Sequence, residues 1–224
     1  MKEHRSFWGL LRRRHCLVPT WRGWLILWLA MMVACALAVR AVHPFLAVTD
    51  PVPGEALVAE GWMPDYAIQQ VIEEFRHNRY DALYVTGGPI EHGERLSEFK
   101  TYAEFGAAVI ERFGLPTNVV QAVPAPMVRQ DRTFAAALAL KHWLHRHGTI
   151  PAKINVISTG AHARRTRLLF EKAFGKSALI GIIAVDEQRY DPKHWWKTSN
   201  GFRDVVSETV AYVYARFLFR APPE

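Results

Sequence analysis

Apolar positions are arranged along this chain in two ways. From Gly23 to Val39 they form one uncharged run, GWLILWLAMMVACALAV, which with the residues up to Val42 gives about 20 residues, the helical length that a bilayer's hydrocarbon core requires. Beyond residue 54 they come instead as short β-branched runs separated by amphipathic stretches. The runs predict strands at 56–59, 82–86, 119–123, 154–158 and 179–185. The stretches between and after them predict helices at 65–79, 94–113, 131–147, 161–174 and 203–219. Strands alternating with helices make an α/β fold, here a Rossmann-like three-layer domain with a mostly parallel sheet of about five strands, plus one N-terminal transmembrane helix.

Charge is distributed unevenly over this frame. Lys2, Arg5, Arg12, Arg13, Arg14, Arg22 and Arg40 face a single acid, Glu3, within residues 1–49, and the remainder carries 21 basic against 20 acidic groups. The formal net charge of +7 is therefore an N-terminal property, and the domain has no basic excess with which to bind nucleic acid. Four arginines precede the apolar run, whereas Arg40 is followed by Asp50, Glu55, Glu60 and Asp65. The positive-inside rule then makes the chain a single-pass protein of the inner (plasma) membrane, N-terminus cytoplasmic and domain outside, with Trp21, Trp24 and Trp28 suited to the near interface. A cleaved signal peptide, ending near Ala36, Ala38 or Ala41, is the alternative; the apolar run is longer than its usual core, and both readings export the domain. Cys16 and Cys35 precede or lie within the span, so the exported part has no thiol for a disulfide or a thiolate zinc site. The organisation expected is a basic tail (1–22), an anchor (23–43), a proline-containing linker (44–54) and the α/β domain (55–220).

Ligands in such domains bind outside the carboxyl ends of the strands. The first exit carries Glu60, a carboxylate following a buried strand, with Asp65 able to cap the next helix. The second carries Gly87 and Gly88, which permit a sharp turn and a close backbone approach to a ligand. Ser97 is placed to cap a helix with Glu98 in its first turn, and Asp131 or Thr133 to cap another that begins with Arg132. The fourth exit, Ser158-Thr159-Gly160-Ala161-His162-Ala163-Arg164-Arg165, sets three basic groups at the positive end of a helix, where cations are disfavoured unless an anion shares the site. Hence His162, Glu60 and Glu98 are the candidate acid–base groups, and Gly87, Gly88, Ser97, Arg132, Thr133, Thr159, Arg164 and Arg165 the candidate anion-binding residues. His142, His145 and His147 sit in a last helical turn, which the dipole already favours, and their spacing does not suit a metal. Trp195 and Trp196, beside Lys193 and His194, could cover a ligand, touch the outer membrane interface or, for one of them, fill the core. The final helix packs on the sheet, with Glu208 able to pair with an arginine of the rim.

The motifs Thr86-Gly87-Gly88, Ser97-Glu98, Asp131-Arg132-Thr133 and His162-x-x-Arg165, in that order over residues 55–219, resemble the YdcF-like family of SanA and ElyC envelope proteins. The chain departs from that pattern in Glu60-Gly61-Trp62 at the first strand exit, in Arg132 where the family has asparagine, and in the extra charge of Arg164. The resemblance implies an anchored Rossmann-like domain serving cell-envelope upkeep and names no cofactor. Two functions follow. One is an enzyme acting on a phosphorylated small molecule or lipid-carrier intermediate, with the arginines as clamp and His162 as acid or base. The other is a non-catalytic binding or regulatory module using the same pocket. A carboxylate within hydrogen-bond reach of His162 would favour the enzyme, because catalysis needs an oriented imidazole. Arg165 is expected to be an uncompensated clamp under the anion reading, and tied to an internal acid such as Glu208 under a purely structural one.

Overall fold

The computed structural model describes residues 5–6, 11–12, 20–91, 97–148 and 150–222, and the chain divides into two units, Met1–Val39 and Arg40–Glu224. Helix α1 (Trp21–Leu46) begins in the first unit. Its most apolar stretch has a mean hydropathy of 2.3 and no buried residue, and among the described residues it is the one helix long and apolar enough to cross a membrane. Most of the basic tail, including Arg13, Arg14 and Cys16, lies outside the described residues; within it, Arg5–Ser6 pairs antiparallel with Leu11–Arg12.

The second unit is built on five parallel strands, β1 (Ala56–Glu60), β2 (Ala82–Gly87), β3 (Val120–Pro124), β4 (Lys153–Thr159) and β5 (Leu179–Val185), in the order β3-β2-β1-β4-β5. This is the Rossmann-like α/β arrangement expected from the alternation of patterns. The central strands are buried on both faces, which is why they read as apolar runs and not as alternations. On one face Leu57, Ala59, Leu83 and Val85 pack against α2 (Asp65–His77) and α3 (Tyr102–Arg112). On the other, Val58, Val123, Val156 and Ile182 meet α4 (Arg132–Arg146), α5 (Ala163–Phe174) and the chain's last helical stretch. That stretch is α6 (Ser199–Val213), continued by one π-helical turn, Tyr214–Leu218.

Three sequence expectations change. The third helix does not start near Ser97: its N-cap is Thr101, which forms a reciprocal capping box with Glu104, so that Thr101 Oγ1 accepts from Glu104 N at 3.2 Å while the Glu104 carboxylate accepts from Thr101 N at 3.0 Å. Residues 92–96, part of the helix expected over 94–113, lie outside the described residues. Asp131 occupies the cap position of α4 but in a left-handed backbone conformation (φ 55°), and its side chain caps nothing. The segment 44–54 is no free linker. Asp50 bridges to Ile182 on the edge of β5, Thr49 Oγ1 accepts from Ala184 N, and Asn155 on β4 clasps the backbone of Val52 through both ends of its amide. Of the two tryptophans, Trp195 is the buried one, in a small separate core with Leu46, Ala161, Tyr190 and Val205.

Candidate functional site

Strand register assembles the site. β1 and β4 lie side by side with Ala59 opposite Ile157, so the next residue of each strand, Glu60 and Ser158, meets the other at the carboxyl end of the sheet, where the strand order reverses. Both are buried, and Ser158 Oγ donates to Glu60 Oε2 at 2.5 Å. β4 then passes through one 3-10 turn (Gly160–His162) into α5. His162 and Arg165, three residues apart, therefore share one face of the helix start. Glu208 arrives from α6. Its Oε1 lies 2.9 Å from His162 Nδ1 and accepts from Arg165 Nη2 at 3.1 Å, while its Oε2 accepts from Arg165 Nε at 2.7 Å. On the opposite edge of the imidazole, Nε2 is 3.4 Å from Glu60 Oε1, within ion-pair range but without hydrogen-bond alignment, and it has no hydrogen-bond partner among the described residues.

An imidazole between two carboxylates holds its proton. Burial works against the charged form, but the charge of Glu60 and the hydrogen bond and charge of Glu208 outweigh it and raise His162 from 6.5 to about 9. Burial likewise opposes ionisation of Glu208, and is overridden by the hydrogen bond and charge of His162 and by Arg165, which lower it to about 2. Glu60 is lowered as well, against its own burial, by the charge of His162, the Ser158 hydroxyl and Arg165. At neutral pH the cluster thus contains two anions and two cations.

A pH dependence follows with a definite sign. His162 has a higher pKa folded than unfolded, so its stabilisation is complete below 6.5 and disappears as pH rises through about 9. Glu208 has a lower one, so its stabilisation is complete above 4.5 and disappears as pH falls towards 2. The interval for His162 corresponds to roughly 3 kcal/mol at about 1.36 kcal/mol per unit. Unfolding free energy measured in urea should therefore decline between pH 6.5 and 9 in the wild type and much less in His162→Asn; equal slopes would show that the imidazole is not held protonated.

The cluster forms the floor of a cleft of about 1080 Å³. Trp62 stands edge-on to His162 at 5.3 Å as one wall, and the loop through Arg129, Asp131 and Arg132 forms another. Of the candidate acid–base and anion-binding residues, Glu60, Gly87, Gly88, Arg132, Thr133, His162 and Arg165 line this cleft, together with Asp131 and Glu208, and Glu98, Ser97, Thr159 and Arg164 do not. Ser97 accepts from Phe99 N in its own loop, and Glu98 is exposed. Thr159 lines a neighbouring cavity of about 140 Å³ together with Glu187, Arg189 and Tyr190. Arg164 points elsewhere, its guanidinium 4.1 Å from the Phe45 ring centroid and its Nε bonded to the Phe45 carbonyl. Gly87 is bare for packing and not for a ligand, since a Cβ there would come within 2.7 Å of Tyr102 Cβ, whereas one on Gly88 would meet only the Pro126 carbonyl oxygen, at an ordinary contact distance of 3.8 Å. Arg165 is no uncompensated clamp either: it is committed to Glu208. On the rim, Arg132 holds Glu91 at 2.7 Å with both side chains largely exposed, a pair that a ligand anion can displace at little cost.

No family model and no curated protein matches this chain. The functional reading therefore rests on the geometry. That geometry includes residues the sequence did not single out. Ser158 and Thr166, 3.3 Å apart, are buried hydroxyls behind Glu60, and nothing in their strand and helix context distinguishes them from core-filling serine and threonine. Glu187, which accepts from Tyr66 Oη at 3.0 Å and pairs with Arg189, is a second buried acid.

Proposed function

We propose that this protein is a membrane-anchored enzyme of the bacterial cell envelope, single-pass with its domain outside the inner membrane, that removes or transfers a phosphate on a lipid-carrier or other phosphorylated envelope intermediate. The resemblance to YdcF-like proteins agrees with this setting. One observation carries the proposal: His162 is oriented by Glu208 through Nδ1, flanked by Glu60, and left without a hydrogen bond at Nε2 beside a cleft. Fixing one ring nitrogen and leaving the other unpartnered is an arrangement acid–base catalysis uses and binding alone does not need; Nε2 is buried here, so a side chain at the cleft floor must shift for a reacting atom to reach it.

Held protonated at neutral pH, His162 serves as the acid. In hydrolysis, water adds to phosphorus and gives its proton to Glu60, the bond from phosphorus to the leaving oxygen breaks, and Nε2 protonates that oxygen. Glu60 then returns a proton to Nε2 across the 3.4 Å that separates them. Arg129 and Arg132 on the rim supply the charge-assisted contacts to the phosphate oxygens. The test is release of inorganic phosphate from polyprenyl phosphate and diphosphate by the full-length protein in nanodiscs. His162→Asn should lower turnover at least ~100-fold while leaving ligand binding within a few-fold of wild type. Binding without product in the wild type would make the protein a binding module, and neither binding nor product would remove the phosphate reading altogether.

A further inference from the structure

Helix α6 carries apolar residues on the face that the domain does not cover. Phe202, Val206, Val210 and Val213 recur at intervals of four, four and three, within about 80° of one another on the helical wheel, and Phe217 extends the line into the π-turn. They are 55%, 40%, 65%, 47% and 75% exposed. Scattered apolar residues on a surface need no explanation, but a contiguous stripe marks a surface that meets something.

The end of α1 indicates what it meets. The residues from Arg40 onward belong to the domain, and they are fixed on this same region. Leu46 is buried against Trp195 and Val205, Phe45 meets Tyr212 with ring centroids 5.4 Å apart, and the Arg40 guanidinium lies 5.8 Å from the Trp196 ring. Arg40 follows the uncharged run directly in the chain. With that run in a bilayer, the domain surface around Arg40 and Trp196 is held at the membrane boundary by the covalent chain itself. The stripe starts at this surface, where the Phe202 and Trp195 rings are 6.2 Å apart. Around it stand Lys193, Lys197 and Arg203, all exposed, with half-covered Trp196. Basic and aromatic groups bordering an apolar stripe are the chemistry of an anionic headgroup layer and the acyl boundary beneath it.

We propose that the outward face of α6, from Phe202 to Phe217, docks on an anionic lipid surface, so that the domain lies against the leaflet and is not merely tethered above it. Glu208, Ala211 and Tyr214, on other sides of the same helical stretch, line the cleft, so docking would hold that wall of the cleft about one helix diameter from the leaflet. The inference rests on the reading of α1 as a membrane span and is independent of the chemistry proposed for His162.

Spin labelling of the full chain tests it. With Cys16 and Cys35 replaced by serine, single labels are placed through Val210→Cys, Phe217→Cys, Leu29→Cys within the span and His145→Cys on the exposed side of α4. The protein is reconstituted in vesicles of phosphatidylethanolamine and phosphatidylglycerol, and collision with oxygen is compared with collision with a water-soluble nickel chelate. The labels at 210 and 217 should favour oxygen severalfold over the label at 145 and lose that preference when the vesicles contain only zwitterionic lipid. If 210 and 217 collide with nickel as freely as 145 while 29 stays protected, the docking surface is wrong and the span stands. If 29 is itself open to nickel, the span reading falls and the docking with it. Protection of 210 accompanied by dipolar broadening between labels would show that a second copy, not lipid, covers the stripe.

Discussion

Replacing Glu208 with glutamine should lower the thermal midpoint by roughly ten degrees, the largest loss expected from a single polar substitution in this domain. Glu208 and Arg165 are each less than a fifth exposed, and Glu208 is the acceptor for both Arg165 and His162, whose nearest nitrogens are 3.0 Å apart. Without the carboxylate, two buried cations face each other with only Glu60 to offset them. Breaking a buried ion pair from one side costs about 3–5 kcal/mol, and in a domain of this size each kcal/mol moves the midpoint by about 2–4 °C. Part of the loss will be recovered as His162 gives up its proton, and more of it when Arg165→Gln is added, because the double variant no longer buries an unmatched charge. Glu91→Gln on the exposed rim pair is the control and should shift the midpoint by less than about 2 °C. Differential scanning calorimetry of the four proteins decides the matter; equal midpoints for Glu208→Gln and Glu91→Gln would mean that the cluster's charges are not buried together.

Gly61→Ala should be comparably damaging for an unrelated reason. A Cβ on Gly61 would lie 2.0 Å from the Tyr102 carbonyl oxygen, and one on Gly106 would lie 2.6 Å from Gly61 Cα. These are contacts of backbone with backbone, so no side chain can rotate out of the way; α3 must move as a body. Overpacking of this kind costs about 1–3 kcal/mol and sometimes more, and the upper end applies where the obstacle is main chain. Because the N-terminus of α3 also packs against Gly87, the shift would be felt along the cleft wall. Gly88→Ala, whose nearest obstacle is 3.8 Å away, should be nearly silent. Chemical denaturation of both variants gives the comparison, and similar midpoints would contradict the close approach of α3 to the end of β1.

Much of this architecture is legible in the sequence because it is local. The β-branched runs mark the five strands to within about two residues, and the step from apolar strand to basic helix start at 154–165 identifies the elements that carry His162 and Arg165. What the sequence hides is pairing over distance. Glu208 lies 46 residues from His162; its pairing with an arginine of the rim could be named from the sequence, but only the packing of α6 across the end of the sheet makes it the partner of the imidazole as well. Glu60 is marked in the sequence by its place at a strand exit, but the β1–β4 register that sets it beside Ser158 is not. The error at α3 is of another kind. Ser97-Glu98 has the residue types of a helix start, but Thr101-Tyr102-Ala103-Glu104 has both the types and the spacing of a capping box, and that signal was present in the chain all along. The proline-containing stretch 44–54 misleads because its hydrogen bonds go to β5 and Asn155, more than a hundred residues away.

That stretch bears on solubility. A parallel sheet ends in two outer strands whose unpaired amides and carbonyls invite any passing strand. Here β5 is partly covered by the chain's own Asp50, bonded to Ile182 in both directions, and by the hydroxyl of Thr49. The other border, β3, spans five residues, ends in Pro124, and carries a Gln121 side chain that occupies the carbonyl of Ala122. Neither border offers a long open ladder, so concentrating the protein should not lead to edge-to-edge polymerisation.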